Sequence, residues 1–445
     1  MNPALTLPAD LAQPRSADIL QRFCRARDGV IRLALEPAYF DLLEKLGNPH
    51  KKLPPVIHVA GTNGKGSTCA FLRAMLEADG RRVHVYTSPH LVTFHERIRV
   101  AGQLIGEDEL VDLFRDIERL AKPGKVSDFE VATAAAFTAF SRHPADAVIL
   151  EVGLGGRLDA TNVIERPAVS AIARLSYDHC KFLGNTLTEI AREKAGIMRQ
   201  GVDCFAARQP DAESVTALRA AAIETGARLH LGGVDWSIEP APTGFRFSAA
   251  NATITLPHPS LLGAHQMENA GLAIAALSGL PFAVRKEAIA RGVQQAEWPA
   301  RLQKLSQGRL ADKLPPGWEL WLDGGHNDSA GEVLAHQMRA WRDENPAQPL
   351  DVVFGMLTTK SPGDFLRPLA PFIRTARTMA IPDETLGFSA EALANETRAS
   401  GISSAQASTD INAALRELTV AQVPGRILIC GSLYLAGHIL RANGA

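Results

Sequence analysis

Residues 56–72 read VIHVAGTNGKGSTCAFL, a short β-branched run, a glycine-rich turn and the start of a second apolar run. Strand, glycine turn and helix in that order make a phosphate-binding loop, whose usual spelling is G-x-x-x-x-G-K-[ST]. Here only Thr62 and Asn63 separate Gly61 from Gly64, and Gly66 stands between Lys65 and Ser67. The physical parts are still present. Glycines let backbone N–H groups point at phosphate oxygens, a helix N-terminus adds positive potential, and Lys65 can neutralise β/γ-phosphates while Ser67 faces a metal or a phosphate. The bland alternative is an ordinary glycine turn opening a helix, and a lysine in the loop's lysine slot argues against it. The stretch predicts a strand ending at Ala60 and an amphipathic helix with Ala70, Phe71, Ala74, Met75 and Ala78 on one stripe, closing at Gly80.

Outward from this loop, β-branched runs alternate with Ala- and Leu-rich stretches, the pattern of a parallel α/β sheet. Strands are predicted at 56–60, 82–87, 147–152, 168–175 and 202–207, and residues 129–141 read as a helix buried against a sheet. Residues 230–257 read as a β-rich insertion with turns. After AEWPARLQ (296–303) a linker-like passage leads to a second alternation through ELWLDGG, LDVVFGM, RTMAIP and RILICGS. The expected organisation is therefore a P-loop NTPase-like, mostly parallel sheet domain over 1–297, then a smaller Rossmann-like α/β domain over 298–445. A chain of 445 residues has room for both, at roughly 150 residues per domain.

Lys and Arg total 47 against 48 Asp and Glu, so no global basic field attracts nucleic acid, and an anionic ligand must be held by local geometry. The first twenty residues lack a charged segment followed by an apolar one, and no window is apolar enough to span a bilayer. The expectation is a cytoplasmic protein that binds neither nucleic acid nor membrane. Five widely spaced cysteines without a C-x-x-C pair exclude a disulfide scaffold and a zinc site. Cys69 and Cys430 read as core residues, and Cys180 has no obvious base.

The spelling GTNGKGS resembles the folylpolyglutamate synthase branch of the Mur ligase superfamily; the cell-wall Mur ligases typically read GTNGKT. YTSPHLVTFHERIRV (86–100), EVGLGGRLDATNV (151–163), DHCKFLGNTLTEIAREKAGIM (178–198), GAHQMENAGLAIAAL (263–277), WPARLQ (298–303), LDGGHN (322–327) and CGSLYLAGHIL (430–440) resemble further blocks of that family, in its order. The chain departs from it in LALEP (33–37) for LGLER, in GGHN for GAHN and in WPAR for WPGR. The resemblance implies an ATP- and Mg²⁺-dependent ligase that phosphorylates a carboxylate and lets an amine attack the acyl phosphate. Its substrates would be ATP, L-glutamate, dihydropteroate and folates, and a monomer is expected. A cell-wall Mur ligase is the nearer alternative, disfavoured by Gly66 and the brief segment before the loop. A P-loop regulatory ATPase that performs no ligation is the other, and it has no need of a second Rossmann-like domain.

The resemblance also implies roles for individual residues. Thr62, Asn63, Gly64, Lys65, Gly66 and Ser67 would bind ATP. The second domain would complete that site through Arg301, Asp323 and His326, together with Asn269 near the adenine. Glu151, a carboxylate at a strand end beside a glycine turn, is placed to hold Mg²⁺, with Ser88 offering an oxygen. His179 is less expected, because Mg²⁺ prefers oxygen, and its metal role follows from the family's D-H motif. Lys194 reads locally as a surface lysine among Glu189, Arg192 and Glu193; the family's E-K-A-G motif implies a carbamylated, catalytic lysine instead. Lys65, His179 and Lys194 are thus the expected catalytic residues. The pterin would meet Arg25, Ala26, Arg27 and Asp28, Phe129 and Glu130, and Leu158, Asp159 and Ala160. An aromatic ring can stack on a flat heterocycle, and a carboxylate can accept from its amino and ring N–H groups.

Overall fold

The structure, a computed structural model, describes residues 15–25, 34–121, 124–250, 252–420 and 423–444. The described chain divides into two compact units: residues up to Ser260 with Gln266–Glu297, and Leu261–His265 with the residues from Trp298 on.

The first unit is built on eight strands, β1 (Val56–Ala60), β2 (Val83–Tyr86), β3 (Ile98–Val100), β4 (Gln103–Leu104), β5 (Ala147–Glu151), β6 (Val169–Ile172), β7 (Asp203–Ala206) and β8 (Arg228–Leu231). They lie in the order β4-β3-β2-β5-β1-β6-β7-β8. All neighbours are parallel except the β2–β3 and β3–β4 pairs. Every residue of β1 and β5 is buried, as expected of central strands covered on both faces. The helices are α1 (Arg15–Arg25), α2 (Pro37–Lys45), α3 (Lys65–Ala78), α4 (Glu107–Leu120) and α5 (Asp128–Arg142), then α6 (Cys180–Leu183), α7 (Leu187–Ala195) and α8 (Ala212–Thr225). Next come α9 (Ala264–Leu277), which belongs here from Gln266, and α10 (Lys286–Gln295). Helices α1, α2, α4 and α5 share one apolar core with Tyr86, Val148 and Leu150.

Helix α3 departs from the expected amphipathic stripe: Gly66 to Leu72 are all buried. The reason is α10, which packs on it so closely that a Cβ at Gly292 would lie 2.4 Å from Met75 Cα. The predicted insertion resolves into β8, which joins the main sheet, and a separate antiparallel meander of β9 (Trp236–Ala241), β10 (Gly244–Ala249) and β11 (Ala252–Pro257).

The second unit has six strands: β12 (Gln303–Leu305), β13 (Glu319–Leu322), β14 (Leu350–Phe354), β15 (Ile373–Thr378), β16 (Gln406–Ala407) and β17 (Arg426–Cys430). Their order is β12-β13-β17-β14-β15-β16, with only β12 antiparallel to its neighbour. Helices α11 (Asp328–Glu344), α12 (Pro362–Leu366), α13 (Ala390–Ala399), α14 (Ile411–Thr419) and α15 (Leu433–Asn443) accompany them. Its core centres on Trp321, Trp341, Phe354, Phe365 and Leu428. Both sheets have the α/β character read from the sequence. The short antiparallel edges β3–β4 and β12 were not foreseen.

Candidate active site

The parallel strands of the first unit end along one edge of the sheet, and in open α/β folds that edge is where ligands bind. The glycine loop follows β1, Ser88 follows β2, Glu151 ends β5, and the segment Arg174–Ser176 follows β6.

Gly61 (φ +141°) and Gly64 (φ +92°) take backbone conformations that a side chain would strain. The N–H groups of Thr62 and Asn63 both donate to the Arg174 carbonyl, at 3.0 and 3.1 Å. Thr62 Oγ1 donates to the Ser176 carbonyl (3.1 Å) and accepts from Ser176 N (3.2 Å), while Asn63 Nδ2 donates to Ser176 Oγ (3.2 Å). The first limb of the loop is thus fastened to the end of β6. The main-chain N–H groups of Thr62 and Asn63 therefore face protein. The first bond of α3 runs from Thr68 N to Gly64 O at 2.8 Å, so the amides of Lys65, Gly66 and Ser67 open the helix ahead of it. Asn269 belongs with this loop and not with the second domain; a Cβ on Gly64 would fall 2.3 Å from its Oδ1. Asn269 is held by donating to Gln266 Oε1 at 3.0 Å.

Two lysines converge on one carbonyl. Lys65 Nζ donates to Gly61 O (3.0 Å) and Thr62 O (3.3 Å), and Lys194 Nζ donates to the same Gly61 O at 2.9 Å. The local reading of Lys194 as a surface residue is wrong: it is 4% exposed. Helix α7 carries it there, starting at a capping box of Thr186 and Glu189 and docking through Arg157 N to the Glu193 carbonyl at 2.7 Å. Burial lowers the Lys194 pKa to about 7, and the charge of Lys65 pushes the same way against Asp178, Asp159 and Glu193.

Ser88 and Glu151 are brought together, the Ser88 N–H donating to Glu151 Oε2 at 3.1 Å. Glu151 is 4% exposed, a buried carboxylate at the ligand edge of the sheet. Its hard oxygen donors fit a hard divalent cation. No group of three or more His, Cys, Asp or Glu side chains suited to a metal occurs among the described residues. That is compatible with Mg²⁺, which keeps several waters and binds through one or two carboxylates plus substrate phosphates. His179 sits in the left-handed region (φ +52°) at the start of α6, with a side chain 45% exposed. Its main-chain N–H donates to Asp178 Oδ1 at 2.7 Å.

On the expected pterin side, Phe129 lies between Tyr86, 6.0 Å away centroid to centroid, and Gly153, where a Cβ would be 2.3 Å from Phe129 Cζ. Glu130 Oε2 accepts from Ser127 N and Oγ in the capping box of α5. Asp159 Oδ2 accepts from Gly153 N and Leu154 N, and its Oδ1 from Thr161 N and Oγ1. Both oxygens therefore fold the glycine turn, although burial raises the pKa of this carboxyl. Ala160 offers its carbonyl to the Tyr39 hydroxyl (3.1 Å), and Leu158 is half-buried. Arg25 is the last residue of α1, and Ala26, Arg27 and Asp28 lie outside the described residues.

Within the second unit, Asp323 accepts from Leu302 N (2.8 Å) and Gly325 N (2.6 Å). Burial raises its pKa and Arg301 opposes the rise. His326 Nδ1 pairs with the Gly324 carbonyl at 2.9 Å. Arg301 is presented between two residues of positive φ, Ala300 (+56°) and Leu302 (+44°). Cys69, Cys204 and Cys430 are buried free thiols whose pKa burial raises, consistent with core residues.

Sequence reasoning missed Arg174 and Ser176. Arg174 falls within the strand read at 168–175 and Ser176 just past it, but only strand order shows that this end adjoins the loop.

The chain matches the Mur ligase middle domain over residues 59–277. It is 37% identical over 419 residues to the dihydrofolate synthase/folylpolyglutamate synthase of Bacillus subtilis, covering 89% of this chain and 92% of that one. With the Escherichia coli protein of the same description it shares 34% over 396 residues, 89% and 88% of the two chains. Among solved structures, E. coli FolC in complex with DHPP and ADP is similar at a TM-score of 0.85 and 32% identity, over 97% of each chain. The bifunctional folylpolyglutamate synthase/dihydrofolate synthase of Yersinia pestis complexed with AMPPNP and Mn ion gives 0.84 and 32%, over 99% of each. The chain belongs to the dihydrofolate synthase/folylpolyglutamate synthase family.

Proposed function

We propose that this protein is an ATP- and Mg²⁺-dependent ligase that joins L-glutamate to 7,8-dihydropteroate and adds further glutamates to folates. The observation that carries the reading is the meeting of a lysine-bearing phosphate loop, a buried acid and a second, buried lysine at one sheet edge. A carboxylate oxygen of the pteroyl substrate attacks the γ-phosphorus of ATP, the bond to the β-phosphate oxygen breaks, and ADP leaves. The amine of glutamate then attacks the acyl carbon, phosphate leaves, and the amine proton is lost.

Lys65 and the amides of Lys65, Gly66 and Ser67 bind and spread the phosphate charge, which in phosphoryl transfer is most of what a protein contributes. Asn269 borders the loop and orients the nucleotide, with Arg301, Asp323 and His326 as further ATP contacts. Glu151, Ser88 and His179 would hold Mg²⁺, which when bound neutralises the developing phosphate charge. Phe129 offers a face to the pterin; Asp159 shapes the turn beside it. Such an enzyme works where ATP is plentiful, in the cytoplasm.

Lys194 fits carbamylation. A neutral amine adds to CO₂, forming an N–C bond and releasing one proton, and an amine with pKa near 7 is substantially neutral at physiological pH. The product is an anion beside Lys65 instead of a second cation.

The test is purified protein with ATP, Mg²⁺, glutamate and either dihydropteroate or tetrahydrofolate, with products read by mass. Glutamylated products from both, and ATP turnover that needs both organic substrates, are expected. Pteroate-independent hydrolysis would instead indicate a regulatory ATPase. Lys65→Ala should abolish ligation with a melting temperature near wild type, because the side chain bonds only to its own loop. A melt as low as that of a core variant, with normal turnover, would show the loop reading to be wrong.

A further inference from the structure

The stretch SPHLVTFHER (88–97) folds as a loop stapled by one carboxylate. Glu96 accepts from the main-chain N–H groups of Leu91 (2.8 Å), Val92 (2.7 Å) and Thr93 (2.7 Å). This fixes the backbone immediately before Arg97. Thr87 N donates to the Arg97 carbonyl at 3.0 Å, which places Arg97 across from the residue preceding Ser88 and so at the ligand edge of the sheet. The guanidinium is oriented from two sides. Its Nε donates to His90 Nδ1 at 2.9 Å, and its Cζ lies 5.3 Å from the centroid of the Phe94 ring. Arg97 is only half exposed, and its positive charge opposes the burial-driven rise in the pKa of Tyr86, whose ring adjoins Phe129.

Among the described residues Arg97 forms no ion pair. Arg199, another half-buried arginine of this unit, has its terminal nitrogens engaged by carbonyls, whereas the hydrogen bond of Arg97 uses Nε alone. A guanidinium held by its Nε, with both terminal nitrogens left to donate, matches the planar fork of a carboxylate.

We infer that Arg97, positioned by His90, is the residue that recognises a carboxylate of the organic substrates at this edge. This rests on the ligase reading above. Two substrates carry the chemistry, the pteroyl acid and the incoming glutamate, and the KM values separate them.

Steady-state kinetics of wild type, Arg97→Gln and Arg97→Lys test the inference. Arg97→Gln is expected to raise KM for one carboxylate substrate by about 10- to 100-fold, the size of a lost charge-assisted pair, with KM for ATP unchanged. Arg97→Lys keeps the charge without the fork and should fall between. A change confined to glutamate assigns the incoming amino acid, and one confined to dihydropteroate assigns the acceptor. As a positioning residue, His90 should show the same KM effect in His90→Phe and recovery in His90→Asn, which restores an acceptor. Unchanged KM values for both acids, or an equal rise for ATP, would overturn the inference. A wild-type protein that makes no glutamylated product would instead overturn the ligase reading.

Discussion

Lys194 has lost its water and gained a cationic neighbour, and both changes disfavour its charged form. Its pKa falls from 10.5 to about 7 on folding, so the direction of the pH dependence follows. Below pH 7 the lysine is protonated in both folded and unfolded chains, and the folded state bears the full penalty. Between pH 7 and 10.5 the folded state holds fewer protons, so stability from this group rises with pH, and above 10.5 the penalty is gone. In CO₂-depleted buffer Lys194→Met should therefore be the more stable protein at pH 6–7, by a few kcal/mol at most, at roughly 1.4 kcal/mol per pKa unit. The gap should close toward pH 10 in denaturant titrations, and the variant should not ligate. Bicarbonate should raise the melting temperature of wild type alone. A gap independent of pH would remove the buried-ammonium account.

Also at this scale, Ala300 is buried at φ +56°. The left-handed conformation costs a non-glycine residue about 1–2 kcal/mol, and the extra freedom of glycine in the unfolded chain returns about 0.4–1 kcal/mol. Ala300→Gly should thus stabilise the second unit by roughly 0.5–1 kcal/mol. A loss of stability on denaturant unfolding would show that the strain is relieved by the surroundings.

Among the elements, α3 matters most, because its N-terminus is the phosphate loop and its flanks fix where that N-terminus points. Gly292 of α10 lets the two helix backbones approach to a distance no side chain permits. Gly292→Ala forces Cβ against Met75 Cα, a backbone atom that cannot rotate away. Overpacking of this kind costs typically about 1–3 kcal/mol. The predicted result is a lower melting temperature together with weaker ATP binding by calorimetry, although Gly292 lies on a different helix from the loop. Unchanged nucleotide affinity in a destabilised variant would mean that the loop is held by Arg174 and Ser176 alone.

For the whole molecule, 47 basic against 48 acidic residues leave a net charge of −1 at pH 7. Near-zero charge removes the repulsion that keeps proteins apart. Light scattering at low salt should show a solubility minimum near neutrality that disappears by about one to two pH units on either side. A monotonic trend would mean that charge clustering outweighs the net value. The charge balance also fits a site that holds anionic substrates through a few placed cations, as Lys65 and Arg97 are placed here. No helix among the described residues is long and apolar enough to cross a membrane.

The sequence by itself determined the local objects. The β-branched runs became central buried strands, GTNGKGS became a strand-to-helix loop, and Glu151 came out at a strand end, because period, glycine placement and apolar runs are properties of neighbouring residues. Tertiary structure decided what those objects touch. Lys194 looks like a surface lysine in its own helix, and only the docking of α7 buries it on Gly61. Asp159 also ties down the turn of Gly153 and Leu154, which its own stretch of sequence does not announce. Arg174 fastens the loop because β6 pairs with β1, more than a hundred residues away in the chain. Strand order and helix docking are set by the burial of many side chains at once, and no single stretch of sequence contains that sum.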